Sequence, residues 1–339
     1  MRFEMPQKIF KIEDKIEQAY AEAYGHAMAL AEQYRGATAP NPCVGAVAIS
    51  RDGTVLSVKA HQKAGTPHAE ALVIQDLRER GILAEATTLL VTLEPCNHFG
   101  RMPPCSEGVI KAYEETGAFE KLIYACKDFN PQVSGQGADR LRKAGIEVHC
   151  LEEEAPDSPT TLRAQKLVEP FLHWAKTKRP WVTVKTAVQS GNMIPPLGQK
   201  TFTSPESLKL AHELRKRADA ILTGSGTILA DNPLFTVRLV PDHPEALKKP
   251  RWLVVLDRRG RVPAEWIAQA QANGFQVHIS QDYEQSLDFL GSKGCLEVLV
   301  EAGPTLTEKV LKSGLWNEHV RIQHTPGQPD LVEVLTSKS

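Results

Sequence analysis

The chain has 339 residues, enough at roughly 150 residues per domain for about two domains with real cores. Its make-up, 42% hydrophobic and 24% charged with 23 glycines and 23 prolines, excludes a disordered or fibrous chain. Lysine and arginine total 40 against 41 aspartates and glutamates, and a chain so near neutrality has no general field to hold DNA, RNA or a membrane surface. No apolar run of signal-peptide length opens the chain and no stretch of about 18 uncharged apolar residues follows, so a cytosolic protein is expected. The six cysteines (Cys43, Cys96, Cys105, Cys126, Cys150 and Cys295) then read as free thiols or metal ligands before disulfides.

Apolar residues recur at steps of three or four from Ile9 to Tyr34, which predicts one long amphipathic helix stopped near Gly36. Val44–Ile49 and Val55–Val58 flank Asp52-Gly53, a hairpin signal. Further on, helices are expected over about 68–80, 106–115 and 138–144, and strands over 87–93, 122–125 and 146–150. Alternating helices and buried strands make a three-layer α/β domain. The acidic, proline-bearing stretch Glu152–Pro159 suits neither a strand nor a lasting helix, and the domain boundary is expected there, with a first domain over 1–152 and a second over 160–339. After a helix over 162–175, a second α/β series is predicted: strands at 181–188, 220–223, 252–256, 277–280 and 298–301, and helices at 206–217 and 306–311. Beyond Trp316 there is room for at most one more strand.

The first chemical constellation is His68-Ala-Glu70 at a helix start, Pro95-Cys96 after a strand, and Cys105 nine positions later near another helix start. One imidazole and two thiolates suit Zn²⁺, and three protein ligands leave a fourth tetrahedral position open for water, the arrangement of a catalytic rather than a structural site. Glu70 is spare as a proton shuttle. The set matches the zinc-deaminase signature of His-x-Glu followed by Pro-Cys and a second Cys. A structural zinc would need a fourth protein ligand, and Cys43, in Pro-Asn-Pro-Cys at a strand entrance, reads instead as a small buried hydrophobe.

Thr38-Ala-Pro-Asn-Pro-Cys-Val-Gly45, the spacing of His61 to His68-Ala-Glu70, the run Leu93-Glu-Pro-Cys-Asn-His-Phe-Gly-Arg-Met-Pro-Pro-Cys105 and Asp128-Phe-Asn-Pro131 resemble the bifunctional deaminase/reductase family of riboflavin biosynthesis. The resemblance covers about residues 20–320. It implies a cytidine-deaminase-like zinc domain acting on a diaminopyrimidinone that bears ribose 5-phosphate, followed by a dihydrofolate-reductase-like α/β domain that uses NADPH to open the ribosyl ring into a ribityl chain. By its motifs Asn41 would hold the pyrimidine, His61 and His98 would line the pocket, and Arg101 would face the phosphate.

In the second half the residues alone say less. Thr223-Gly-Ser-Gly-Thr227 after an apolar strand reads as a turn or a close-approach loop, and Glu301-Ala-Gly-Pro304 at a strand end reads as a packing glycine or a phosphate site. The resemblance implies that Lys185, Thr203, Ser204, Gly224, Gly226, Thr227, Asp231, Arg238 and Glu301 bind the reductase substrate and cofactor. Departures from the family pattern are the missing aspartate near Gly191, Phe202 for a common tryptophan, and a shorter part after the Glu301 region. They keep open a second reading, a deaminase whose second domain is a degenerate reductase-like platform. The partners expected are a small phosphoribosyl pyrimidine and, as an open option, a second copy of the chain, with no nucleic acid and no membrane.

Overall fold

Alanine and glycine decide how the first helix packs. In α1 (Ile12–Glu32) the side chains of Ala23, Tyr24, Ala27, Met28 and Ala31 form one buried stripe, while at Gly45 an added Cβ would stand 2.3 Å from the Ala27 carbonyl oxygen. Only glycine lets the strand β1 (Gly45–Ser50) lie that close to the helix. The computed structural model describes residues 12–97, 103–128, 136–193 and 202–337. They fall into two units: one holds the chain up to Gln33 and Cys43–Glu169, the other Tyr34–Pro42 and Pro170 onward.

In the first unit β1 is followed by β2 (Val55–Ala60), α2 (Ala69–Glu79), β3 (Ala86–Leu93), α3 (Cys105–Thr116), β4 (Lys121–Cys126), α4 (Gln136–Lys143) and β5 (Glu147–Cys150). The sheet order is β2-β1-β3-β4-β5, with the first two pairings antiparallel and the last two parallel. Both alternating sets of side chains on β1 and β3 are buried, so both sheet faces are covered, as three layers require. The acidic stretch expected to hold no helix does form one turn, α5 (Leu151–Glu154), and Pro159 opens α6 (Pro159–Thr177) at a position where its missing N–H costs nothing.

The second unit contains β6 (Trp181–Gln189), α7 (Pro205–Arg217), β7 (Ala220–Gly224), α8 (Ser225–Asp231), β8 (Arg251–Leu256), α9 (Ala264–Ala272), β9 (Phe275–Ser280), α10 (Tyr283–Ser292), β10 (Glu297–Val300), α11 (Pro304–Ser313), β11 (Glu318–His324) and β12 (Leu331–Thr336). The order is β12-β11-β6-β10-β7-β8-β9, all parallel except the β11–β12 pair. Alternate residues feed opposite cores. Leu222, Val254 and Val300 pack with Leu287 and Val310, whereas Ile221, Leu253 and Val255 pack with Ile228 and Trp266. Leu299 joins Leu214 of α7. Two strands, not one, follow Trp316: β11 and β12 form a hairpin in register from Glu318 opposite Thr336 to Gln323 opposite Leu331. On β12, Leu331, Val332, Val334 and Leu335 stand exposed on both faces of an edge strand.

Candidate functional site

In the first unit three chain segments bring their ends together. His68 occupies the N-cap position of α2, Cys105 is the first residue of α3, and Cys96 follows the end of β3. The ligand atoms of these three residues lie within 4.8 Å of one another. His68 Nδ1 is 3.2 Å from Cys105 Sγ and 3.7 Å from Cys96 Sγ, and the Cys105 backbone N–H donates to Cys96 Sγ at 3.3 Å. A tetrahedral zinc with bonds of about 2.3 Å to sulfur and 2.0 Å to nitrogen has ligand–ligand edges of roughly 3.5–3.8 Å. The residues therefore fit the ion in donor type and spacing. Cys96 is drawn well below the usual thiol range, chiefly by the hydrogen bond from Cys105 and then by His68, and Cys105 is pushed well above it.

Glu70, 3% exposed in the first turn of α2, is held above the usual carboxylate range, first by burial and then by the charge on Cys96. A buried carboxyl group raised in this way is suited to accept a proton and give it back. His61 stands edge-on to His68 with ring centroids 5.2 Å apart, and its Nδ1 meets the Pro67 carbonyl at 3.2 Å. Burial pushes it down to about 4, so the ring is neutral, with Nδ1–H donating and Nε2 as its acceptor nitrogen. Cys43 is not part of the cluster; its thiol donates to the Ala31 carbonyl at 2.8 Å. Asn41 belongs to the Tyr34–Pro42 segment of the second unit, where its backbone N–H donates to Thr38. His98 and Arg101 lie outside the described residues.

The residues that follow the two cysteines brace them. Ser106 Oγ donates to Asn97 Oδ1 at 3.0 Å, and Arg140 of α4 donates to the same oxygen at 3.1 Å. Helix α4 approaches closely because its first turn carries Gly137, where a Cβ would lie 2.0 Å from the Pro95 carbonyl oxygen.

In the second unit the carboxyl ends of β6, β10 and β7 adjoin, and connections leave this point for both sides of the sheet, the usual place for a ligand in an open α/β sheet. Glu301, 5% exposed just past β10, is 3.2 Å from Lys185 Nζ of β6 and 2.7 Å from Arg215 Nε of α7. Burial alone would raise its carboxyl, but Lys185 and Arg215 outweigh this and hold it below the usual range. Arg238 is exposed, and its backbone N–H donates to His212 of α7 at 2.8 Å. Thr227 Oγ1 accepts the Gly303 N–H at 3.0 Å, tying the start of α8 to the loop that opens α11. A Cβ at Gly226 would meet open space, so a ligand can approach the backbone there. Gly224 is the N-cap of α8 and Asp231 its exposed last residue. Ser204 caps α7: its Oγ accepts from Ser207 N–H, and its own N–H donates to Asp330. Thr203 precedes that cap and is half-buried. The structure thus joins Lys185 to Glu301 and brings in Arg215 and His212, which the motifs did not single out. Their spacing of three on an amphipathic helix, directed at the Glu301 strand end, was the available signal.

Residues 20–120 match the cytidine and deoxycytidylate deaminase zinc-binding region, and residues 180–326 match the RibD C-terminal domain. The riboflavin biosynthesis protein RibD of Aquifex aeolicus is 33% identical over 321 residues, covering 87% of this chain and 83% of its own. The chain belongs to the RibD family. The Escherichia coli member is 34% identical, over 86% of this chain and 84% of its own. Among solved structures, the diaminohydroxyphosphoribosylaminopyrimidine deaminase/5-amino-6-(5-phosphoribosylamino)uracil reductase of Thermotoga maritima superposes with a TM-score of 0.76 at 30% identity, over 92% of this chain and 89% of its own. Acinetobacter baumannii RibD follows at 0.75 and 30%, with coverage of 92% and 89%. Like those relatives, the chain is a two-part RibD enzyme, with a zinc-binding deaminase region followed by a RibD reductase region.

Proposed function

We propose that this chain deaminates a phosphoribosylated diaminopyrimidinone at His68, Cys96, Cys105 and Glu70, and then reduces the ribosyl group of the product to ribityl. The observation that carries the first step is the His68–Cys96–Cys105 triangle with buried Glu70 beside it. His68, Cys96 and Cys105 would hold a zinc ion, which would supply Lewis acidity toward the attacking water. Glu70 accepts a proton from the water that adds to the amino-bearing carbon and delivers it to the departing nitrogen, which leaves as ammonia. By the family's motifs Asn41 holds the pyrimidine, and His61 and His98 line the pocket. Arg101 meets the phosphate, for which a guanidinium is well matched.

For the reduction, Gly224, Gly226, Thr227 and Asp231 bind the nicotinamide cofactor, and the start of α11, tied to Thr227, offers backbone N–H groups for its phosphates. NADPH, when bound, supplies the hydride. Lys185, Arg215 and Arg238 offer cations to the phosphoribosyl group, Glu301 orients Lys185 and Arg215, and Thr203 and Ser204 complete the rim. The domain assignment that goes with this reading is 1–152 for deamination and 160–339 for reduction. A match of the RibD C-terminal type over 180–326 favours two activities over a deaminase on a degenerate platform.

A cytoplasmic location and a homo-oligomer complete the reading. No helix among the described residues is long and apolar enough to cross a membrane. The exposed Leu331, Val332, Val334 and Leu335 on edge strand β12 give a second copy something to cover. Light scattering on the purified chain tests this; a monomer mass of 37.4 kDa at working concentration would argue against it. Ammonia release from the phosphoribosyl diaminopyrimidine, followed separately from NADPH oxidation, tests the two activities.

A further inference from the structure

One buried histidine of the second unit has no part in these steps. His212 is 5% exposed on α7. Its Nδ1 accepts the Arg238 backbone N–H at 2.8 Å, with the Leu239 N–H also near at 3.5 Å. A nitrogen that accepts carries no proton, so Nδ1 is unprotonated; the other ring nitrogen, Nε2, stands 3.5 Å from Arg215 Nη1, a donor. Burial, and then the guanidinium groups of Arg215 and Arg238, disfavour a second proton.

The segment that His212 holds leaves α8 at Asn232 in the left-handed region (φ 42) and turns again at Phe235 (φ 53). Phe235 is buried in the core formed by Ile221, Ile228, Leu253 and Trp266. Beyond it the chain returns to solvent: Leu239 is 49% exposed, and Arg238 is exposed too. Phe235 is thus the apolar anchor of this segment and His212 a polar one. One turn along α7, Arg215 reaches Glu301, lies 3.5 Å from the Thr236 carbonyl and stands 5.9 Å over the Phe235 ring. A single turn of α7 therefore holds both the Glu301 cluster and the loop that carries Arg238.

We infer that His212 is a positioning residue for the reductase substrate: its Nδ1 fixes residues 236–239 so that Arg238 joins Lys185 and Arg215 around the phosphoribosyl group. The inference rests on the reductase reading above. Without this hydrogen bond the loop still has its Phe235 anchor, so the fold survives while the guanidinium loses its place. A displacement of about 1 Å at such a site can cost up to ~10²-fold.

The experiment uses the full zinc-loaded chain, with ammonia release as the control for intact protein. Steady-state NADPH oxidation is measured on the deaminated phosphoribosylaminouracil for wild type, His212→Asn, His212→Gln, Arg238→Ala and the His212→Gln/Arg238→Ala double variant. Asn places an oxygen near the Nδ1 position and is expected to keep KM within about three-fold of wild type. Gln places its polar end near Nε2, loses the Arg238 N–H and is expected to raise KM roughly ten-fold, with kcat changed less. The double variant should be no worse than Arg238→Ala alone, because the two act through one group. If Gln matches wild type, if Asn is as poor as Gln, or if the losses multiply in the double variant, the inference is overturned while the reductase reading stands. A wild-type chain that oxidises no NADPH overturns both.

Discussion

Replacing Glu301 by Gln keeps the shape of the side chain and removes its charge, which leaves Lys185 and Arg215 facing each other across a buried amide. Removing one partner of a buried ion pair costs about 3–5 kcal/mol. Here the two cations keep 20% and 15% of their side-chain exposure and can recruit water, which reduces the expected cost to about 2–3 kcal/mol. For a unit of this size, each kcal/mol lowers Tm by about 2–4 °C, so the transition of the second unit should fall by roughly 4–12 °C while that of the first stays in place. Differential scanning calorimetry of the full chain reads both. The pH dependence has a definite sign. Since the folded carboxyl titrates below its usual range, the ion pair's stabilisation is fully present above the unfolded-state value of about 4.3 and is lost as pH falls through the folded value. The gap between wild type and Glu301→Gln should hold constant from about pH 7 to 5 and close below about pH 4. A Tm shift under about 1 °C at pH 7, or a gap that widens on acidification, would show that the Glu301 charge does not hold Lys185 and Arg215 in place.

Glu70→Gln should keep zinc at one per chain yet lose deamination by about 10²- to 10⁴-fold, the span typical of general acid–base groups; metal analysis beside ammonia release checks it, and undiminished turnover would remove Glu70 from the proton path. Gly137→Ala drives a methyl group into the Pro95 carbonyl and must shift the chain entering Cys96. It should weaken zinc binding by roughly 10- to 100-fold in a chelator competition, and unchanged affinity would show that the loop gives way freely. Arg101→Ala should weaken binding of the phosphorylated substrate by roughly ten- to a hundred-fold and leave the dephosphorylated analogue nearly untouched; equal losses on both would assign the phosphate elsewhere.

Strong periodicity made most of the fold legible. The apolar runs that became β3, β7, β8 and β10 are buried on both faces, and such runs announce themselves in any sequence. Helices α9 and α10 lie outside the elements expected from the sequence, although α10 carries its own signal. Asp282 accepts from the Gln285 N–H at the helix start, and Tyr283, Leu287 and Leu290 follow at helical spacing. Strand β12 was hidden for a different reason: Leu331, Val332, Val334 and Leu335 are exposed on both sides and show no alternation to read. The zinc triangle was legible because its residues stand at element ends, which follow from the same periodicity. The reductase cluster was only half legible. Lys185 lies within β6 and Glu301 borders β10, but His212 and Arg215 gain meaning only when parallel pairing of β10 with β6 and β7 brings α7 over the Glu301 strand end.

A single reaction followed by two signals reads both activities at once. Purified chain loaded with one zinc is given the phosphoribosyl diaminopyrimidine, and ammonia and NADPH absorbance are recorded together. Ammonia should be released without NADPH, and NADPH oxidation should begin only as deaminated product accumulates and be abolished by Asp231→Ala. Ammonia release with no NADPH oxidation, even when the deaminated compound is supplied directly, would contradict the two-activity reading and leave the second half as a platform without chemistry.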